Sequence, residues 1–246
     1  MNYFVDAFAF IFDPVNWAGA EGIGMRLWRH VLYTLMSVGI AAVIAVPLGL
    51  YIGHTGRGRA AVIAITGAAR AFPTFGLLLF VVLLFGLHLW PVIFVLVVLA
   101  IPPLLAGTYA SVESADRSAV DGARGSGFSE LQIVGRVELP LALPLLIGGV
   151  RGAVLQVIAF ATIAAYVAQG GLGRYLIEGL AIRDFTRAVV GAILVAGLAL
   201  LADGILAAIQ RLVVPRGVSR GATRTTRTRS RSRGPVRAPI TEGTAS

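Results

Sequence analysis

AFPTFGLLLFVVLLFGLHLWPVIFVLVVLAIPPLLAGTYASV, residues 71–112, contains no Asp, Glu, Lys or Arg. A helix crosses the hydrocarbon of a bilayer with roughly 20 apolar residues, so this stretch has room for up to two crossings. A second charge-free stretch, between Arg29 and Arg57, holds one more. Core helices of water-soluble domains are rarely so long and so evenly apolar. The whole chain agrees: of its 246 residues 57% are apolar and 13% charged, about half the charged share of an ordinary soluble domain. The reading is an all-α, multi-pass transmembrane helical bundle.

Working outward from residues 71–112 places about five spans. The first covers Leu32 to Ile52 and ends at the polar turn His54 to Arg59. The second runs from Ala60 to Phe85, with a kink expected at Pro73, because proline removes a backbone hydrogen bond and crowds the preceding turn. The third runs from Trp90 to Ala110 and is expected to be interrupted at Pro102-Pro103. The fourth, Leu143 to Val167, contains one charge, Arg151, and the fifth, Ala188 to Leu212, contains Asp203. Residues 29–214 are thus the transmembrane domain, with a loop at 111–140. In residues 1–28 the apolar run Tyr3 to Phe12, followed by Trp17, suits either an interfacial segment or a poorly ordered terminus. Residues 215–246, rich in Arg, Ser and Thr, form a tail expected to be disordered and to bind no specific nucleic acid; anionic lipid headgroups are the better functional partner, and an inert solvated tail is the simpler reading.

Arginine distribution sets the expected orientation. Arg57, Arg59, Arg117, Arg124, Arg136 and the basic tail fall on one side of a five-span chain. Arg26, Arg29, Arg174, Arg183 and Arg187 fall on the other, partly offset by Glu21, Glu178 and Asp184. The positive-inside rule then places the N-terminus outside and the C-terminus in the cytoplasm. The first 20 residues lack a basic n-region, so no cleavable leader is expected. There is no cysteine, and every basic residue apart from histidine is arginine. A P-loop of the usual form needs a lysine for the nucleotide phosphates, so ATP chemistry would belong to another chain. No nucleophile–base or metal constellation is visible, and neither enzymatic activity nor a cofactor is expected of this chain.

Ser111 to Pro140 is the long polar insertion between spans, and it reads as two short helices. Asp116 suits an N-cap, Arg117 and Asp121 fall one turn apart, and Gly125 and Gly127 can end the first helix. Ser129-Glu-Leu-Gln132 fits a capping box for the second, which Leu139-Pro140 closes while opening the fourth span. A helix–turn–helix at one end of a membrane bundle is a docking surface.

These residues carry a family resemblance. Asp121-Gly122-Ala123, then Gly127, then Val137, then Leu139-Pro140 keep the spacing of the cytoplasmic loop of permease subunits of binding-protein-dependent ABC importers: Glu-Ala-Ala, three residues, Gly, nine residues, Ile, any residue, Leu-Pro. Asp for Glu, Gly for Ala and Val for Ile are the departures. From about Leu32 to Leu212 the chain resembles the osmoprotectant branch. Val46-Pro-Leu-Gly49, Gly122-Ala-Arg-Gly125, Arg136-Val-Glu-Leu-Pro140 with Leu143-Pro144, and Ala164-Ala-Tyr166 leading to Gly170-Gly-Leu-Gly173 carry it. The resemblance implies a transport subunit of the bacterial cell membrane, importing glycine betaine, choline, carnitine or proline betaine by alternating access. It implies a separate ATP-binding subunit docked on the loop, a second permease subunit, identical or homologous, and an extracytoplasmic substrate-binding protein. A methionine-type amino-acid importer shares much of this pattern, and a secondary transporter is the reading from another class.

Other features have two readings each. Gly170, Gly171 and Gly173 suit an outer gate or, more simply, a tight turn after a helix. His30, His54 and His88 lack the spacing of metal ligands and read as polar contacts near helix ends. The prolines either open a path or improve packing. Arg70, Arg151 and Asp203 are intramembrane charges that need a partner or water. At 1.5 Å per residue, Arg151 and Asp203 both lie roughly 12 Å from the cytoplasmic boundary on consecutive antiparallel helices, so each is the other's natural partner. Arg70 is the competitor for Asp203.

Overall fold

The computed structural model describes residues 2–71, 73–167 and 170–213, without the side chains of residues 69–71. Its regular structure is helical: α1 (Tyr3–Phe12), α2 (Ile23–Thr55), α3 (Arg59–Ala71), α4 (Thr74–Phe85), α5 (Leu89–Glu113), α6 (Arg117–Gly125), α7 (Glu130–Ile133), α8 (Leu139–Ala164), α9 (Gly173–Ala181) and α10 (Phe185–Val213). A π-helical turn, Val134–Glu138, joins α7 to α8. The tail from residue 215 and the disorder expected of it lie outside the described residues.

Among the described residues, four helical stretches are long and apolar enough to cross a membrane: Ile23–Thr55, Leu89–Glu113, Glu130–Val167 and Phe185–Val213. The direction of α2 and α5 accounts for a fifth passage. Gly49 of α2 sits against Leu105 and Thr108 of α5, and Gly53 one turn later sits against Tyr109 and Val112, so the two helices run parallel. The chain must return across the bundle between them, and α3 and α4, both packed on α5, make that return in tandem. Residues 60–85 are therefore not one kinked helix. Pro73 is extended (φ −69°, ψ 99°) and starts a new helix, its carbonyl accepting from the Leu77 N–H at 2.9 Å. Proline has no N–H to continue a helix and its ring crowds the turn before it, which accounts for a break in place of the expected kink.

Pro102-Pro103 departs from expectation in the opposite sense. α5 runs unbroken through both prolines. Proline at 103 cannot bond the Leu99 carbonyl, and the Gln156 side chain of α8 donates to that carbonyl at 3.2 Å. Neighbouring helices routinely satisfy such freed groups in membrane proteins, which keeps the helix continuous.

α5 is the centre of the bundle, touching α2, α3, α4 and α8. Val92, Val95, Leu96, Leu99, Ala100 and Leu104 of α5 are buried against Ala41 and Ala45 of α2 and Ala153, Val157 and Ala161 of α8. With lipid outside, close van der Waals contact rather than water exclusion holds such helices together, and small residues allow it. At the α5–α8 crossing a Cβ on Gly149 would lie 2.9 Å from the Gly107 Cα, so neither position has room for a side chain. The N-terminal segment is folded: α1 packs on α10, with Phe10 edge-on to Tyr175 and Tyr3 edge-on to Phe185. α2 begins at Ile23, earlier than the expected span, and carries Arg26 and Arg29 into the bundle.

Candidate functional site

The loop between α5 and α8 folds locally as its sequence dictates. Asp116 caps α6, its carboxylate accepting from the Ser118 N–H at 2.9 Å and the Ser118 hydroxyl at 2.8 Å. The hydroxyl first, and then the backbone N–H, hold the Asp116 carboxyl below the usual carboxylate range. Gly127 ends the α6 turn at φ +84°, in the left-handed region. Around it the Gly127 N–H donates to the Arg124 carbonyl and the Phe128 N–H to the Ala123 carbonyl, both at 3.1 Å. This pair of bonds is the Schellman arrangement, which satisfies the last carbonyls of a helix. Ser129 and Gln132 form the expected capping box. Asp121 pairs with Arg124 at 3.2 Å, in place of the expected Arg117. Arg124 also clasps Glu130 with two bonds of 2.9 Å, which fastens α6 to α7. Glu130 raises the proton affinity of the Arg124 guanidinium further.

Leu139 and Pro140 open α8, as expected, but they do not close a separate helix, because α7, the π turn and α8 are one continuous run. Pro140 lacks an N–H and its ring crowds the carbonyl four residues back; the wider π turn before it relieves that crowding. Gly122 is exposed, and a Cβ there would meet nothing within 4 Å, so the departure from the Ala of the family pattern is sterically neutral. Ala123 and Val137 are half-buried. Phe128 is 38% exposed and Leu131 87%, a high value for leucine in an otherwise polar loop. The loop therefore offers a short helix of small residues flanked by two exposed apolar side chains.

Sequence reading missed the contact that fixes this loop to the bundle. His54, at the end of α2, places Nδ1 2.8 Å from Glu138 and Nε2 3.1 Å from Glu130. Arg59 at the start of α3 pairs with Glu113 at the end of α5 at 3.0 Å. His54, Glu138, Arg59 and Glu113 line a polar cleft of about 270 Å³ together with Arg117, Asp121 and Arg124. No periodicity links positions 54, 130 and 138, so only the fold reveals them. His30 is also placed differently from the reading: it is fully buried between α2 and α8, with Nε2 3.0 Å from the Ile158 carbonyl and Nδ1 accepting from the Leu172 N–H at 3.3 Å.

Arg151 and Asp203 meet. Arg151 donates from Nε to Oδ1 at 2.9 Å and from Nη2 to Oδ1 and Oδ2 at 2.7 and 2.9 Å. Gln210 extends the cluster, accepting from Arg151 at 3.2 Å and donating to the Pro144 carbonyl at 2.8 Å, so α8 and α10 are pinned at two levels. The side chain of Arg70 lies outside the described residues. At the opposite end from the loop, Gly170 and Gly171 have φ of +79° and +82° and sit against Arg29 and His30, while a Cβ on Gly173 would lie 2.1 Å from the Thr162 carbonyl oxygen. That geometry is a tight, packed turn. Beside it Arg26 is buried over the Tyr175 ring, 4.3 Å from its centroid, and pairs with Glu21 at 3.2 Å and Glu178 at 3.4 Å.

A bundle of apolar helices long enough to span a bilayer, with a structured polar loop at one end, defines the class: a multi-pass membrane protein. Residues 45–215 match the family described as binding-protein-dependent transport system inner membrane component, and the chain belongs to that family. It is a multi-pass protein of the cell membrane. The choline transport system permease protein OpuBB of Bacillus subtilis is 30% identical over 195 residues, covering 79% of this chain and 90% of that protein. The carnitine transport permease protein OpuCD of Listeria monocytogenes is 32% identical over 191 residues, covering 77% and 86%. The osmoprotectant import permease protein OsmW of Salmonella typhimurium is 30% identical over 199 residues, covering 78% and 91%. Among solved structures, an inward-facing form of the MetNI methionine ABC transporter matches with a TM-score of 0.69 over 77% of this chain and 95% of that one; at 23% identity this is a likeness of fold.

Proposed function

We propose that this chain is the membrane-spanning permease subunit of an ATP-driven importer for small quaternary ammonium osmoprotectants such as choline, carnitine or glycine betaine. The observation that carries the reading is the loop: the family spacing from Asp121 to Pro140 lies on a capped helix–turn–helix that presents Phe128 and Leu131 outward at one end of the bundle. Asp121, Gly122, Ala123, Gly127, Val137, Leu139 and Pro140 shape that surface for an ATP-binding subunit. The loop faces the cytoplasm and the Gly170 turn faces outward, where a substrate-binding protein delivers its cargo. A second permease subunit, identical or homologous, completes the pathway. ATP binding draws the docked loops together and opens the pathway outward; hydrolysis resets it. The relatives named for choline, carnitine and osmoprotectants support the substrate class.

Cells stripped of their own osmolyte uptake and supplied with this chain and its partners test the substrate. They should accumulate labelled choline or glycine betaine, with mutual competition and none by methionine. Methionine uptake that betaine does not compete with would assign the chain to an amino-acid importer of the same build.

A further inference from the structure

We propose that His54 is a positioning residue that delivers movement of the docking loop to α2; this rests on the docking role proposed above. His54 lies in the last turn of α2, where the negative end of the helix dipole favours a cation. A neutral imidazole has one donor and one acceptor nitrogen. Here both nitrogens lie within hydrogen-bonding distance of carboxyl oxygens, Glu138 at 2.8 Å and Glu130 at 3.1 Å, so the ring bridges the two side chains. The Glu138 side chain is 7% exposed, and a carboxyl so enclosed needs a hydrogen-bond partner, which His54 supplies.

The position of Glu138 adds a separate observation. It is the last residue of the π turn, and single π turns inside a helix gather at functional places. The extra residue per turn resets the facing of the helix that precedes α8, and His54 bonds both α7, through Glu130, and the last residue of the π turn, Glu138. Glu130 in turn shares its carboxylate with Arg124. An unbroken chain of polar contacts therefore runs from α2 through His54, Glu130 and Arg124 into α6, although α3, α4 and α5 separate α2 from the loop in sequence. Of the other charged groups lining the cleft, Arg59 pairs with Glu113 and Asp121 pairs with Arg124. A displacement of α6 by a docked subunit is thereby conveyed to α2.

The test uses the complete complex of permease, ATP-binding subunit and binding protein in liposomes, measuring solute taken up per ATP hydrolysed. His54→Leu should lower that ratio about tenfold, a usual size for coupling between sites. KM for the loaded binding protein and co-purification of the ATP-binding subunit should stay as they were. His54→Arg, whose guanidinium can donate to both carboxylates, should restore most of the ratio, and adding Glu138→Gln to His54→Leu should cost little more. An unchanged ratio in His54→Leu overturns the inference, and so does loss of the ATP-binding subunit, which would make His54 part of docking alone. Should His54→Leu fail to insert, Glu130→Gln is measured instead: a fall of about twofold supports the proposal and no fall overturns it. Absence of ATP-dependent uptake by the unaltered complex would remove the importer reading itself.

Discussion

Asp203 is the lone acid of α10, and Arg151 the lone charge of the apolar part of α8. A charge at that depth costs on the order of 2.5–3.5 kcal/mol by insertion scales, so both were expected to seek a partner, and equal depth on neighbouring antiparallel helices named it. The bidentate contact between them follows from that argument. Gln210 does not, because a neutral amide three residues before the helix end carries no such penalty to reveal it. Removing one partner leaves the other charge uncompensated, whereas removing both leaves an apolar contact. Asp203→Leu should therefore lower stability in detergent by about 2–3 kcal/mol, while Arg151→Met with Asp203→Leu should recover most of it. Thermal melting of the purified variants checks this; equal melting of the single and double variants would show that the pair is not what holds α10 to α8. His54 marks the other limit at this scale. Its carboxylate partners lie far away in sequence, and its own neighbourhood gives no sign that both ring nitrogens are engaged.

Helices were legible where a side chain acts within its own turn. The Asp116 cap, the Ser129–Gln132 box and the Gly127 turn all depend on neighbours within a few residues, and all appear in the structure. The prolines were less legible because their effect depends on what lies across the bundle. Pro73 breaks the chain into α3 and α4, while Pro102-Pro103 leaves α5 whole with Gln156 bonded to the Leu99 carbonyl. Gly127 offers the test at this scale. Nothing lies within 4 Å of a Cβ built there, so Gly127→Val meets only the backbone cost of a left-handed residue, about 1–2 kcal/mol. The protein should insert and fold, but α6 and α7 would be re-aimed and uptake lost. Normal uptake by a well-expressed Gly127→Val protein would refute the role assigned to the loop.

Across the whole molecule, charge is gathered at the two ends and nearly absent between them. One end holds the loop, His54, and the Arg59–Glu113 pair; the other holds Arg26, Glu21, Glu178 and the glycine turn. The apolar spacing in the sequence foretold this division, but not which charges pair at each end, since those pairs join segments that only the folded bundle brings together. An importer permease needs both ends, one for delivery of solute and one for the ATP-binding subunit. The most direct measurement is uptake of labelled choline or glycine betaine into liposomes holding the purified complex, with ATP and the binding protein added or withheld on each side. Uptake should require ATP on the loop side and loaded binding protein on the other, and should stop when either is omitted. Uptake by this chain alone, driven by an ion gradient without ATP or binding protein, would contradict the account.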